Sequence, residues 1–247
     1  MLLFLLYLAT AASEPVADQY KTAVEALYSG QFPEAEKALD DLRIHHPYSR
    51  FAALAELRLA DVHRDRGQAL QAIEAYRGFC KFHPGHAQGH YARLQVAEAY
   101  FSMLPHDWGV LPPRAEKDQD AARQAIAAYD AFLNQAPAEV AGSLALARQH
   151  RADSTRQLAD HEIYVARFYF GRQHYAAAAG RAELVLQNFA DLGLDDEALW
   201  LAGKSRAEMG EAAMARLHLH RLIERHPKSP RADGARQALA VLEPPSP

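Results

Sequence analysis

A helix-stopping signal that recurs at a fixed interval restricts this chain more than any other feature. Amphipathic runs end at His46-Pro47, His83-Pro84, Ala136-Pro137, Phe189-Ala190 and His226-Pro227. Proline lacks a backbone N–H and cannot continue a helix. Pro47 to Pro84 and Ala190 to Pro227 are steps of 37 residues, and the two steps between them are 53. A period of this length marks stacked supersecondary units, none of which can bury its apolar face alone. The two longer steps must carry insertions.

A second punctuation lies inside each unit. Gly30, Gly67 and Gly210 stand where a first helix should end in the left-handed conformation. The following helix then carries a small residue and a large one four places on: Ala35/Leu39, Ala72/Tyr76, Ala125/Tyr129 and Ala215/Leu219. The first helices carry small residues at matching places, Ala23, Ala60, Ala97, Ala166 and Gly203. Small against large lets two antiparallel helices approach closely. The pattern resembles the tetratricopeptide repeat over about residues 16–229. The expected fold is all-α, a right-handed solenoid of five tetratricopeptide-like helical hairpins with an extended repeat-four helix and a C-terminal capping helix. The expected repeats are 16–49, 50–87, 88–138, 139–191 and 192–229, with the cap at 230–242, all in one body over 13–243, and a frayed tail at 244–247. No stretch alternates with period two for long enough to be a strand.

The insertions have different characters. Residues 105–117 hold three prolines and a glycine, which forbid helix and place Trp108 on a loop, either as a plug over the stack or as a contact for a partner. From Val140 to Phe170 there is no proline and only Gly142, so a single helix of about 45 Å is expected there.

Composition narrows the function. Net charge is −4 with a pI near 6.3, and the Lys and Arg residues are scattered, so no nucleic-acid surface is expected. Cys80 is the single cysteine, on an apolar helical stripe, and reads as a small core residue. His83, His86 and His90 are the best metal candidates, yet His83 precedes the repeat's proline as His46 and His226 do, so its placement follows the repeat. Neither a nucleophile elbow nor a phosphate loop occurs. The chain is therefore expected to be no enzyme, with no metal and no cofactor. Leu2 to Leu8 followed by Ala9-Thr10-Ala11-Ala12 reads as a signal peptide over 1–12, too short for a membrane span.

What remains is a binding surface. First helices of such a stack line one face. The tetratricopeptide groove positions carry over to Tyr20, Val24 and Tyr28 in repeat one, Leu57, Asp61 and Arg64 in repeat two, and Tyr91, Leu94, Glu98 and Phe101 in repeat three. Four of these are aromatic and three charged, a mixture suited to an extended peptide.

The run from Leu158 through His161-Glu162, Ala166, Tyr169 and Tyr175 to Arg181 resembles the signature region of the BamD family of outer-membrane assembly proteins. Trp108-Gly109-Val110 matches that family's aromatic-Gly-Val insertion, and His46-Pro47-Tyr48-Ser49 its first-repeat turn. The resemblance implies a periplasmic protein at the outer membrane, with unfolded barrel segments on its N-terminal repeats. It implies a BamA-like barrel subunit, and other assembly-complex members, as partners of its C-terminal ones. Arg181 corresponds to an arginine that faces BamA in the family, and Trp108 is the second expected partner contact. The family is lipidated on a Cys after its signal peptide, and Ala9 to Ser13 holds none, so membrane association is expected through partners rather than a lipid anchor. The alternative is a periplasmic scaffold of the CpoB type, which shares the Pro227-Lys-Ser-Pro motif.

Overall fold

Proline stops and left-handed caps cut the chain into short antiparallel helices. The computed structural model describes residues 15–107 and 113–242. Eleven α-helices lie among them. These are α1 Pro15–Tyr28, α2 Phe32–His45, α3 Arg50–Asp65, α4 Ala69–Phe82, α5 Gly89–Ser102 and α6 Asp120–Gln135, followed by α7 Ala141–Gly171, α8 Tyr175–Asn188, α9 Asp195–Glu208, α10 Ala212–Arg225 and α11 Ala232–Leu242. There is no strand among the described residues. The all-helical class and the hairpin-on-hairpin build expected from the repeats are what the structure shows. The expected long helix is α7, of 31 residues, entered through a 3-10 turn at Ala138–Val140. The signal-peptide reading at 1–12, Trp108 and the tail at 244–247 lie outside the described residues.

Each second helix of a hairpin ends in one way. The N–H of the stop residue reaches back four places to the carbonyl of a large buried side chain: His46 to Leu42, His83 to Phe79, Ala136 to Phe132, Phe189 to Val185 and His226 to Leu222, all at 2.8–2.9 Å. The five stops seen in the sequence are thus five copies of one hydrogen bond. Four of the five first helices end alike too. Gly30 N–H donates to Leu27 O and Gln31 N–H to Ala26 O, which satisfies carbonyls the helix leaves open. The same pair recurs at Gly67/Gln68, Gln173/His174 and Gly210/Glu211. The three glycines have φ of +75°, +73° and +76°, and a Cβ on any of them would meet nothing within 4 Å. Backbone conformation, not crowding, is the reason for glycine there. Repeat four closes the same turn with Gln173 at φ +63°, so one L side chain occupies a position its siblings reserve for glycine.

Packing supplies the remaining constraint. At Gly203 an added Cβ would sit 2.8 Å from Leu219 Cδ2 and Cγ, so α9 and α10 meet there with no room for a methyl. Ala23 and Leu39, like Ala60 and Tyr76, repeat that sixteen-residue relation, and all four are fully buried. Removing a Leu of this kind from water is worth about 1.5–3 kcal/mol.

The chain forms two compact units. Unit 1 holds the described residues up to Ser102 with Ala131–Ser143; unit 2 holds Met103–Asp130 and the described residues from Leu144 onward. In unit 1 the core of α1, α2 and α3 gathers Ala23, Leu27, Ala35, Leu39, Leu42, Ala55 and Val62. In unit 2 Ile163 and Ala166 of α7 pack with Ala182 and Val185 of α8 and Ala198, Leu201 and Ala202 of α9. The cap α11 buries Ala232, Ala235 and Leu239 against Leu199, Leu219 and Leu222.

Opposite outcomes are expected at the equivalent caps. Gly67→Ala should cost about 1 kcal/mol or more, and Gln173→Gly should add up to about 1 kcal/mol, because only the second relieves a left-handed side chain. Urea midpoints report both. A stabilised Gly67→Ala would contradict the backbone argument.

Candidate functional site

In unit 1 one buried carboxylate organises four helices. Asp61, on α3, is 1% exposed and accepts hydrogen bonds from Tyr76 Oη at 2.5 Å and Tyr91 Oη at 2.8 Å. Arg58, one turn before it, pairs with Asp61 Oδ2 and reaches Tyr20 Oη of α1 through Nε at 3.3 Å. Arg64, one turn after it, places Nη1 at 3.3 Å from Asp61 Oδ1, 2.8 Å from Tyr91 Oη and 3.0 Å from Gln95 Oε1 of α5. Its Nε holds Asp65 at 2.7 Å. Rings continue the network: Phe51 lies 5.3 Å from Tyr20, and Arg58 stands 5.6 Å over Tyr91.

The protonation states follow from this geometry. Burial, and then the charge of Asp61, push the Tyr76 and Tyr91 phenols up, so both remain donors. Burial disfavours the charge on Arg58, but its bond to Tyr20 and the carboxylate of Asp61 more than compensate and hold it firmly cationic. Arg64 behaves alike, with Asp65 as its main hydrogen-bonding partner.

The structure therefore brings Tyr20, Asp61, Arg64 and Tyr91 together, but it changes the part some of them play. Asp61 is not a surface ligand contact; it is the internal acceptor of the network. Leu57 is fully buried, and Leu94 is 6% exposed. Both belong to the core because they sit on the sides of α3 and α5 that face neighbouring helices, so neither lines an accessible face. Val24, Glu98 and Phe101 are half-buried, and Tyr28 is 72% exposed. Sequence reasoning missed Arg58, Gln95 and Phe51. Arg58, Asp61 and Arg64 are spaced by three on α3, and that interval puts charges on one helix face; it was the signal that could have found Arg58.

In unit 2 the insertion between α5 and α6 is fastened to one face of α7. Gln119 is 1% exposed; its Nε2 donates to Arg114 O at 2.8 Å and Lys117 O at 2.7 Å, and Gln157 Nε2 donates to its Oε1 at 3.1 Å. His161 Nδ1 lies 2.6 Å from Ala115 O, Tyr164 Oη donates to Glu116 at 2.9 Å, and Arg114 reaches Asp160 at 3.2 Å. Residues 157, 160, 161 and 164 share one face by helical spacing. Glu162, next along α7, is 6% exposed and holds Arg181 Nη1 of α8 at 2.8 Å. Arg181 keeps 42% of its side chain in solvent. The Asp-His-Glu stretch of the signature thus has two tasks, holding the insertion and orienting Arg181.

The histidines serve the repeats. His83 Nε2 pairs with Glu56 at 2.7 Å and its ring stacks beside Phe79, while His86 Nδ1 accepts the Gln88 N–H at 3.1 Å. Among the described residues no group of three or more His, Cys, Asp or Glu side chains is placed to hold a metal, and no helix is long and apolar enough to cross a membrane. His218 of α10 is 5% exposed and shares Glu183 of α8 with Arg206 of α9, which grips that carboxylate through Nε at 2.9 Å and Nη2 at 2.7 Å.

The chain is similar to known proteins. The model of a family described as "YfiO: Outer membrane lipoprotein" matches residues 12–222. An outer membrane protein assembly factor BamD of Neisseria meningitidis is 26% identical over 223 residues, 85% of this chain and 79% of its own length. That of Caulobacter vibrioides is 27% identical over 187 residues, 75% of this chain and 58% of its own. Among solved structures, a tetratricopeptide segment of yeast Sti1 aligns over 92% of this chain and 82% of its own at 13% identity and a TM-score of 0.45.

The Glu183 cluster generates a pH prediction. Burial, set against the bond to Glu183, holds the His218 pKa below its ordinary 6.5. The unfolded chain then binds the proton more readily, so stability contributed by neutral His218 is present above pH 6.5 and is lost as pH falls below it. Glu183, whose pKa is lowered from 4.5 by Arg206 in spite of burial, titrates only at lower pH. Between about pH 7.5 and 5.5, wild type should lose more stability than His218→Gln in urea melts. Parallel losses would acquit His218.

Proposed function

This chain belongs to the YfiO family of outer-membrane lipoproteins, and on that footing we propose that it is a non-catalytic assembly factor for outer-membrane β-barrel proteins, working at the periplasmic side of that membrane. The observation that carries the proposal is the family match over residues 12–222, which spans both units and takes in the signature on α7 and α8. Unit 1 receives unfolded barrel segments on the side of α1, α3 and α5 where Tyr20, Arg58, Arg64 and Tyr91 gather. Unit 2 docks on the periplasmic part of a BamA-like barrel subunit through Arg181.

The chemistry supports this division. An unfinished barrel has strand edges with unpaired N–H and C=O groups, which lipid cannot satisfy and which invite aggregation in water. Rings and hydroxyls held in place on unit 1 can take such a segment without burying it deeply. Arg181 presents a planar fork of donors to a carboxylate, and Glu162 already holds it in one orientation, so little rotamer freedom is lost on binding. The insertion bound to α7, together with that oriented arginine, favours this reading over a simple envelope scaffold.

Affinity purification from envelope membranes tests it, with a photo-crosslinker in place of exposed Tyr28 for unit 1 and exposed Ala177 for unit 2. Barrel precursors should crosslink at the first site and the barrel subunit at the second. Arg181→Ala should weaken recovery of the barrel subunit about tenfold, a loss of about 1.4 kcal/mol. It also takes the partner from Glu162, which is 6% exposed, and should lower stability by about 1–3 kcal/mol, so recovery is compared at a temperature where the variant is folded. Unchanged recovery with Arg181→Ala would take that residue out of the interface.

A further inference from the structure

The charge around Asp61 is balanced in a way that bears on what unit 1 accepts. Two guanidiniums, Arg58 and Arg64, stand on the α3 face, and two carboxylates, Asp61 and Asp65, hold them, so the group sums to zero. Asp61 is shared by both arginines and by both tyrosine hydroxyls, and only 1% of it reaches solvent. What the group offers outward is the half-exposed rings of Tyr20, Phe51 and Tyr91, together with the parts of Arg58 and Arg64 that the carboxylates leave free.

We infer that Asp61 is the specificity-determining residue of this face: by neutralising Arg58 and Arg64 it makes unit 1 select uncharged, aromatic-bearing extended segments over acidic ones. The inference rests on the proposed receipt of unfolded segments by unit 1 and names their chemical class. Asp61 does not touch the bound segment; it sets the charge and the orientation of the groups that do. With Asp61 removed, Arg58 would be uncompensated and Arg64 would keep only Asp65, beside three aromatic rings, and the same surface would attract carboxylates. The buried carboxylate therefore acts against acidic segments, not only for the fold, which is how a site discriminates between ligands of one shape. The high pKa of both phenols fits this assignment, since the hydroxyls stay donors to Asp61 and cannot themselves repel an acidic ligand.

A pair of synthetic peptides tests it. Each has about ten residues in the alternating apolar and polar pattern of a barrel strand. They are identical except that two outward serines in one are aspartates in the other. Wild type should bind the uncharged peptide and should not prefer the acidic one at any salt concentration. Asp61→Asn, which keeps the shape and an acceptor for the tyrosines, should prefer the acidic peptide by about fivefold or more. That preference should fade near about 0.5 M salt, where charges are screened. Asp65→Asn, at an exposed position, should move selectivity the same way by about twofold, and it decides the matter should Asp61→Asn fail to fold. A wild-type preference for the acidic peptide overturns the inference, as does unaltered selectivity in the folded variants. Failure of wild type to bind either peptide would instead defeat the reading of unit 1 as a receiving surface, and the inference with it.

Discussion

Everything in this molecule depends on how closely the two helices of a hairpin can come together. At Gly203 the distance leaves no room for a methyl group beside Leu219, and the alanines at the equivalent places of other first helices are fully buried. That approach puts large side chains of the second helix into the groove of the first, so the hydrophobic gain arises between elements that are near neighbours in sequence. The stops follow the same frame: four hairpins close on a left-handed residue, and four of the five second helices stop before a proline.

Such a frame leaves polar side chains on first helices with a choice between solvent and the next repeat. Asp61 is a case in which the next repeat wins. Tyr76 has its ring buried and its hydroxyl needs an acceptor; Asp61 supplies it, and two arginines then answer for the carboxylate. Four helices of unit 1 are tied by one group. Unit 2 applies the same logic at Glu183, shared by Arg206 and His218, and at Glu197, which pairs with Arg167 and, at 2.8 Å, with Arg231. Charges that look scattered in the sequence are used in cross-helix pairs.

The fastening of residues 114–119 to α7 is part of the packing of unit 2. His161 of α7 meets the Ala115 carbonyl, and Gln157 donates to the side chain of Gln119, whose own amide holds the Arg114 and Lys117 carbonyls. A loop held this way is part of unit 2 rather than a free tether. The same helix orients Arg181 through Glu162, so the insertion and Arg181 are held by neighbouring residues of one helix.

The amino-acid sequence by itself determined the helices, their stops and their order, since these rest on local chemistry: a missing N–H at proline, a permitted positive φ at glycine, and the spacing of small and large residues along one turn. It also exposed the family, because the signature on α7 and α8 is contiguous. The position of Gln173 in a glycine's conformation was hidden, since the turn's hydrogen bonds override the side chain's preference. Which candidate site residues are enclosed and which are exposed was decided only by tertiary structure. Leu57, Asp61 and Leu94 have the same helical spacing as Tyr28, yet three are enclosed and one is in solvent. Which face of a helix is covered depends on the neighbour that packs there, and Asp61 meets Tyr76 and Tyr91 across fifteen and thirty residues of chain. Periodicity along one helix carries no record of such partners; only the fold brings them within hydrogen-bonding reach.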